Sequence, residues 1–262
     1  MSRNTSAQYD PNADQAQDGE TQEIGLRAPL PPLVRFEAVS APDSGDGATL
    51  RSLSFALPAG SLYVLAGKPG AGKTRLLGLI QSAAPPARGR IELFGRDVAG
   101  FRPRDRALAR GRIGLLAGEP RFLDHLSVFD NAALGPRISG RKPEDYRDEV
   151  AQLLAWVGLG KRMGDLPGDL TAGERRRLAL GRAVANGPDI LLVDEAADVD
   201  AATEERILRL LGELNRAGTT MLIATQDETL APRLEQPAMR LQAGRLTSID
   251  DASPDASWGG TP

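Results

Sequence analysis

The chain has 262 residues, 41% hydrophobic and 26% charged, with a formal net charge of −3 at pH 7. That length can bury the core of one large α/β domain or two small ones, and the near-balanced charge gives no general attraction for nucleic acid or anionic lipid. Cysteine is absent, which excludes disulfides and thiolate metal sites.

The opening residues, Met1-Ser2-Arg3-Asn4-Thr5-Ser6-Ala7-Gln8, lack the apolar run of a secretion signal. No later run approaches the length needed to cross a bilayer. The expectation is a cytoplasmic chain that reaches a membrane only through a partner and does not bind nucleic acid. Residues 1–32 are polar and acidic, with Asp10, Asp14, Asp18, Glu20 and Glu23, and they close on Pro29, Pro31 and Pro32. Such a stretch cannot bury enough apolar surface to offset its ordering entropy. Residues 250–262 have the same character, so two disordered tails are expected around one ordered domain at 33–249.

That domain begins with two runs of alternating polarity, 33–39 and 50–57, separated by Pro42-Asp43-Ser44-Gly45-Asp46-Gly47. Alternation and turn formers predict half-buried antiparallel strands. Leu62-Tyr63-Val64-Leu65-Ala66 follows as a run of buried-strand length. Next comes Gly67-Lys68-Pro69-Gly70-Ala71-Gly72-Lys73-Thr74, which fits G-x-x-x-x-G-K-[ST] without a mismatch, and then a leucine-dense helix start. Strand, glycine-rich turn and helix N-terminus are the setting in which this pattern holds phosphate. The glycines let successive N–H groups converge on phosphate oxygens, and the helix end adds partial positive charge. Lys73 would reach the β- and γ-phosphates, and the Thr74 hydroxyl would ligand Mg²⁺. A nucleoside triphosphate is therefore the expected ligand.

Further along, Ile113-Gly114-Leu115-Leu116, Ile190-Leu191-Leu192-Val193 and Thr220-Met221-Leu222-Ile223-Ala224 are continuous apolar runs. They predict parallel strands covered on both faces. Helical periodicity appears at Val150, Leu153, Leu154 and Val157, at Ile207, Leu210, Leu211 and Leu214, and between Glu174 and Asn186. Between the strand near Leu116 and a helix starting near Ser127 lie Arg121, Phe122 and Leu123. That aromatic–aliphatic pair either anchors a partner or closes the chain's own core. His125, the sole histidine, falls in the same loop and reads as structural or interfacial.

Two further motifs follow the phosphate loop in chain order. Leu170-Thr171-Ala172-Gly173-Glu174 precedes a basic run, Arg175-Arg176-Arg177. Thr171 and Glu174 have capping-box spacing, so the segment reads equally as a well-capped helix or as a helix end that grips phosphate. Asp194-Glu195 stands at the carboxyl end of a predicted parallel strand, where nucleotides bind in open α/β sheets. There Asp194 can hold the Mg²⁺ shell and Glu195 can polarise a water for attack on the γ-phosphate.

Phosphate loop, L-T-A-G-E and acidic pair, in this order, are similar to the nucleotide-binding subunits of ABC-type transporters. The resemblance covers the ordered domain and is nearest to the FtsE subfamily of cell division, with lipoprotein-release and MacB-type ATPases close by. Arg112-Ile113-Gly114-Leu115-Leu116, Arg121 through Asn131, Arg182 through Pro188 and Asn215 through Thr220 carry it. It implies an ABC-type P-loop NTPase fold: an α/β chain with a mostly parallel core sheet, an antiparallel β subdomain and a helical signature-motif subdomain. It also implies ATP with Mg²⁺, bound at 67–74 of one subunit and at Thr171, Ala172, Gly173 and Glu174 of another. Those subunits form a homodimer or a heterodimer, and closure drives an integral membrane partner of the FtsX kind.

The chain also departs from the family pattern. Ala172 replaces a signature glycine, no glutamine lies between Arg112 and Ser127, and no aromatic stands near Asp43 to stack on adenine. Gln226 occupies the position of the switch histidine and is assigned as catalytic beside Glu195. The segment from Asp194 to Asp200 is one residue shorter than the usual D-E-P-T-x-x-L-D, with Asp200 expected at the dimer contact. These departures imply slow hydrolysis.

Overall fold

A computed structural model describes residues 31–41, 49–194 and 200–250. The two alternating runs form β1 (Pro32–Ala41) and β2 (Leu50–Pro58), paired antiparallel with Phe36 opposite Phe55. Those two rings stack with centroids 4.6 Å apart, a cross-strand aromatic pair of the kind that fixes register. β4 (Arg88–Leu93) lies on the other side of β1 and β5 (Arg96–Asp97) closes the edge, giving the order β2-β1-β4-β5.

A second sheet has the order β10-β9-β3-β8-β7-β6. Its strands are β3 (Leu62–Ala66), β6 (Ile113–Leu116), β7 (Ile190–Asp194), β8 (Thr220–Thr225), β9 (Ala238–Gln242) and β10 (Arg245–Asp250). All neighbours pair in parallel except β9 and β10. The continuous apolar runs follow from this arrangement. Tyr63, Leu65, Ile190, Leu192, Leu222 and Ala224 enter one core, whereas Leu62, Val64, Leu191, Val193, Met221 and Ile223 enter the other. Side chains alternate across a strand, so a strand covered on both faces must be apolar at every position.

Helix α1 (Lys73–Ser82) sends Leu76, Leu77 and Ile80 into the first core. Helix α2 (Pro103–Gly111) adds Ala109 to it. The second core is closed by α3 (Val128–Ala132), with the short α4 (Leu134–Ile138) packed beside α3 and α6 outside it, and by α5 (Pro143–Trp156), α6 (Ala172–Val184), α7 (Ala201–Arg216) and α8 (Leu230–Leu234). The apolar faces expected on α5, α6 and α7 are the buried ones: Val150 and Leu154, Leu180 and Val184, Ile207 and Leu210. Among the described residues, no helix is long and apolar enough to cross a membrane.

Candidate functional site

Three adjacent strands deliver the site. Ala66 of β3 is in register with Thr225 of β8, and Ala224 of β8 with Asp194 of β7. The segments that leave these carboxyl ends therefore meet at one edge of the sheet, where ligands bind in this architecture. Residues 69–75, Asp194 and Gln226 line a single open cavity of about 590 Å³ there.

The phosphate loop is braced from distant parts of the chain. Gly67 N donates to Thr225 O at 3.1 Å, and Gly244 N, in the β9–β10 turn, donates to Ala71 O at 3.0 Å. A Cβ at Gly67 would lie 2.5 Å from the Leu241 carbonyl oxygen, so only glycine lets β9 pass this close. Gly72 precedes α1 at φ 107°, a left-handed conformation, and supplies no side-chain cap; the first turn contains no acidic residue. The leading N–H groups of α1 thus have no internal anion, the condition under which a helix end takes a phosphate.

Lys73 is buried and its Nζ folds back on the loop, donating to Gly67 O at 2.5 Å and Lys68 O at 3.3 Å. Phosphate oxygens would take over these carbonyl contacts with full negative charge. Thr74 Oγ1 donates to Asp194 Oδ2 at 2.9 Å, which brings hydroxyl and carboxylate together across two elements. Among the described residues, no group of three or more His, Cys, Asp or Glu could hold a metal. An oxygen-only pair beside a phosphate cradle fits Mg²⁺, which takes few protein ligands and completes its shell with phosphate and water.

Gln226 is exposed at the end of β8 and faces the same cavity. The turn that carries it is fixed: Thr225 Oγ1 accepts from Asp227 N at 3.0 Å. The Asp227 carboxylate in turn accepts from the Thr229 hydroxyl at 2.6 Å and the Thr229 N–H at 2.8 Å. These two donors hold the Asp227 carboxyl below the usual carboxylate range. Glu195 and Asp43 lie outside the described residues.

The segment 171–174 forms the start of α6 and is occupied with itself. Thr171 Oγ1 accepts from Glu174 N at 3.2 Å, and Glu174 Oε2 accepts from Thr171 N and from the Thr171 hydroxyl, both at 2.9 Å. Arg162 Nη1 donates to Glu174 Oε1 at 3.0 Å. The donations from Thr171 come first among the causes that hold the Glu174 carboxyl below its ordinary value. A Cβ at Gly173 would stand 2.7 Å from Thr203 Oγ1, so this glycine serves packing within the chain. Asp200 caps α7, accepting from Thr203 N at 3.0 Å and from the Thr203 hydroxyl at 2.7 Å.

Phe122 and Leu123 are not an equally exposed pair. The Phe122 ring is half-buried against the helical core beneath the Arg182 guanidinium, 4.8 Å away, and only Leu123 stands out, 42% exposed. Phe36 and Tyr63 are both buried, so neither can stack on a base. The interest of Arg176 was not visible in its basic run. The structure puts Arg175 in solvent and Arg176 inside, 5% exposed.

Residues 50–198 match the family model described as ABC transporter. The cell division ATP-binding protein FtsE of Escherichia coli K12 is 36% identical over 215 residues, which span 82% of this chain and 97% of FtsE. The chain belongs to the ABC transporter ATP-binding family. The methionine import ATP-binding protein MetN of Bradyrhizobium diazoefficiens is 33% identical over 221 residues, covering 82% of this chain and 64% of MetN. Among solved structures, the ATP-binding cassette MJ0796, a dimer in a post-hydrolysis state bound to ADP and Pi, superposes with a TM-score of 0.76 at 23% identity. That match covers 84% of this chain and 99% of the cassette. CbiO1 of Clostridium perfringens, part of an ABC transporter complex, gives 0.74 at 22% over 84% and 89%. The ABC-type P-loop fold and ATP as the ligand of an ABC ATP-binding subunit follow from membership.

Proposed function

We propose that this chain is the ATPase subunit of an FtsE-like complex, in which ATP-driven closure of two ATP-binding subunits moves an integral membrane partner of the FtsX kind in cell division. The observation that carries this reading is the convergence of the phosphate loop, Asp194 and Gln226 on one cavity. The match to FtsE along 97% of that protein supports the FtsE branch, whereas the chain spans 64% of MetN. The protein would work at the inner face of the plasma membrane, held there by its partner.

In the mechanism, Lys73 leaves its loop carbonyls for the β- and γ-phosphates, and the N–H groups at the head of α1 hold the same anion. Thr74 and Asp194 would hold Mg²⁺, whose positive charge neutralises phosphate oxygens. Glu195 orients and polarises the attacking water. Gln226 offers a neutral hydrogen bond at the γ-phosphate, in place of a group that can become cationic. Thr171, Ala172, Gly173 and Glu174 of a second subunit approach from the far side. Their own capping bonds and the Ala172 methyl weaken that approach, and together with Gln226 they make turnover slow.

A second reading, a nucleotide-gated scaffold with little hydrolysis, is favoured by the same self-capped helix end. Steady-state turnover separates the two. Slow phosphate release that disappears in Glu195→Gln supports the ATPase. Equal rates in both proteins would leave the scaffold. Leu123→Asp should reduce recovery with membranes while ATP binding persists, because Leu123 is the exposed member of its loop pair.

A further inference from the structure

Arg176 sits on the second turn of α6, almost wholly buried. Its described acceptors are backbone carbonyls from two other parts of the chain. Nη2 donates to Asp194 O at 2.9 Å. Nη1 donates to Ala117 O and, at 3.4 Å, to Gly118 O. Among the described residues, no carboxylate side chain forms an ion pair with it. Burial pushes its pKa down to about 10, with the nearby Asp194 charge opposing the shift. A buried cation whose described acceptors are carbonyls costs the fold more in desolvation than an apolar side chain would, and its planar fork reaches both segments from two nitrogens.

The segment joined in this way, 117–127, is stiff along its remaining length. Arg182, also on α6, donates from Nη1 to Arg121 O at 2.6 Å and covers the Phe122 ring. Asn131, fully buried, donates to the carbonyls of Leu123, Leu126 and Ser127 and accepts from Leu123 N, each at 3.0 Å. Of these three clamps only Arg176 also touches β7. Its bond falls on the residue whose carboxylate meets Thr74 at the phosphate loop. One continuous path therefore runs from Thr74 through Asp194 and Arg176 to Ala117, and along the clamped loop to the exposed Leu123.

We infer that Arg176 is a positioning residue that couples the Thr74–Asp194 end of the nucleotide site to the 117–127 loop, so that a shift of Asp194 on nucleotide binding moves the loop as one piece. This rests on the reading of Asp194 as a nucleotide-site residue. The coupling requires both carbonyl contacts together, which the guanidinium makes from two nitrogens held in one rigid plane.

Hydrogen exchange of the loop amides, followed with and without Mg-ATP in the full chain, tests it. In the wild type, Mg-ATP should change exchange at 121–126 by about fivefold or more, the lower end of typical coupling between sites. In Arg176→Met the change should fall below about twofold, while protection of residues 67–74 by Mg-ATP remains. Arg176→Lys keeps the buried charge without the fork and guards against a folding defect in the first variant; it should lose the loop response as well. Arg182→Met, which loosens the loop without touching β7, should raise its basal exchange and keep the response. A full response in either Arg176 variant would overturn the coupling, as would a wild-type loop that ignores Mg-ATP while 67–74 become protected. Absence of protection at 67–74 in the wild type would instead overturn the nucleotide-site reading, and the coupling with it.

Discussion

Helix α1 begins at Gly72 with no side-chain cap and no acidic residue in its first turn, whereas α6 begins at Thr171 with a complete capping box and Glu174 in its first turn. Both helix starts belong to segments from which phosphate contact is expected, yet only the first is left electrostatically open. The macrodipole favours an anion at either end. At α6 that place already holds the Glu174 carboxylate, itself tied to Arg162. Around α1 the bracing comes from elsewhere, from Thr225, Leu241 and Gly244, and no side-chain cap occupies the N–H groups at the head of α1. On the proposed function, the contrast favours the α1 end as the main ATP contact and leaves the α6 end of a second subunit as the weaker one.

The sharpest way to break this contrast is Lys73→Ala. Loss of a charge-assisted contact worth about 1.5–3 kcal/mol should weaken ATP binding on the order of tenfold or more, read by titration calorimetry. An unchanged dissociation constant would mean that the α1 end is not where phosphate sits. Next in size is Gln226→His, which restores a group able to become cationic over the γ-phosphate. Turnover should rise by roughly tenfold, a modest share of what a donor aimed at developing charge can supply. Flat turnover would show that Gln226 is already a sufficient donor on its rigid turn.

Base recognition should be loose on the α1 side. Phe36, Phe55 and Tyr63 are buried and 42–48 contains no aromatic residue. Without a stacking contact worth about 1–3 kcal/mol, ATP and GTP should compete within about tenfold of one another. A strong preference for ATP would point to a base contact outside the described residues.

The smallest effect belongs to the α6 side. Thr171→Ala should cost about 1 kcal/mol of stability, a drop of about 2–4 °C in Tm for a chain of this size. ATP affinity of the isolated subunit should not change. Acid gives a further check on the same box. The Glu174 carboxyl is lowered in the folded state, so its contribution is present above the unfolded carboxylate value and is lost as pH falls through the lower folded value. Glu174→Gln should remove that part of the acid sensitivity.

The phosphate loop, its strand and the Asp194 strand were legible because their signals are local. A fixed glycine spacing, a lysine and unbroken apolar runs report on their immediate surroundings. Thr171 and Glu174 were legible as a capping box for the same reason, but spacing alone could not show that the box consumes the donors at issue. Arg176 was hidden inside Arg175-Arg176-Arg177, because which of three consecutive arginines turns inward depends on how α6 sits against β7. Gly67 has two reasons to be glycine, and only the loop pattern is written near it. The other, the Leu241 carbonyl, comes from β9. Phe122 and Leu123 read alike as neighbours, and Arg182, distant in the chain on α6, separates them.

The bond from Gly244 to Ala71 has a consequence for how the protein is made. On a ribosome the complete phosphate-loop motif emerges long before the β9–β10 turn that braces it. Contacts between such distant segments form only once the intervening chain is available. A nascent or C-terminally shortened chain would carry every residue of the motif and still lack the carbonyl of Leu241 behind Gly67 and the donor of Gly244 on Ala71. The braced form of the phosphate loop is thus completed only once β9 and β10 have been made.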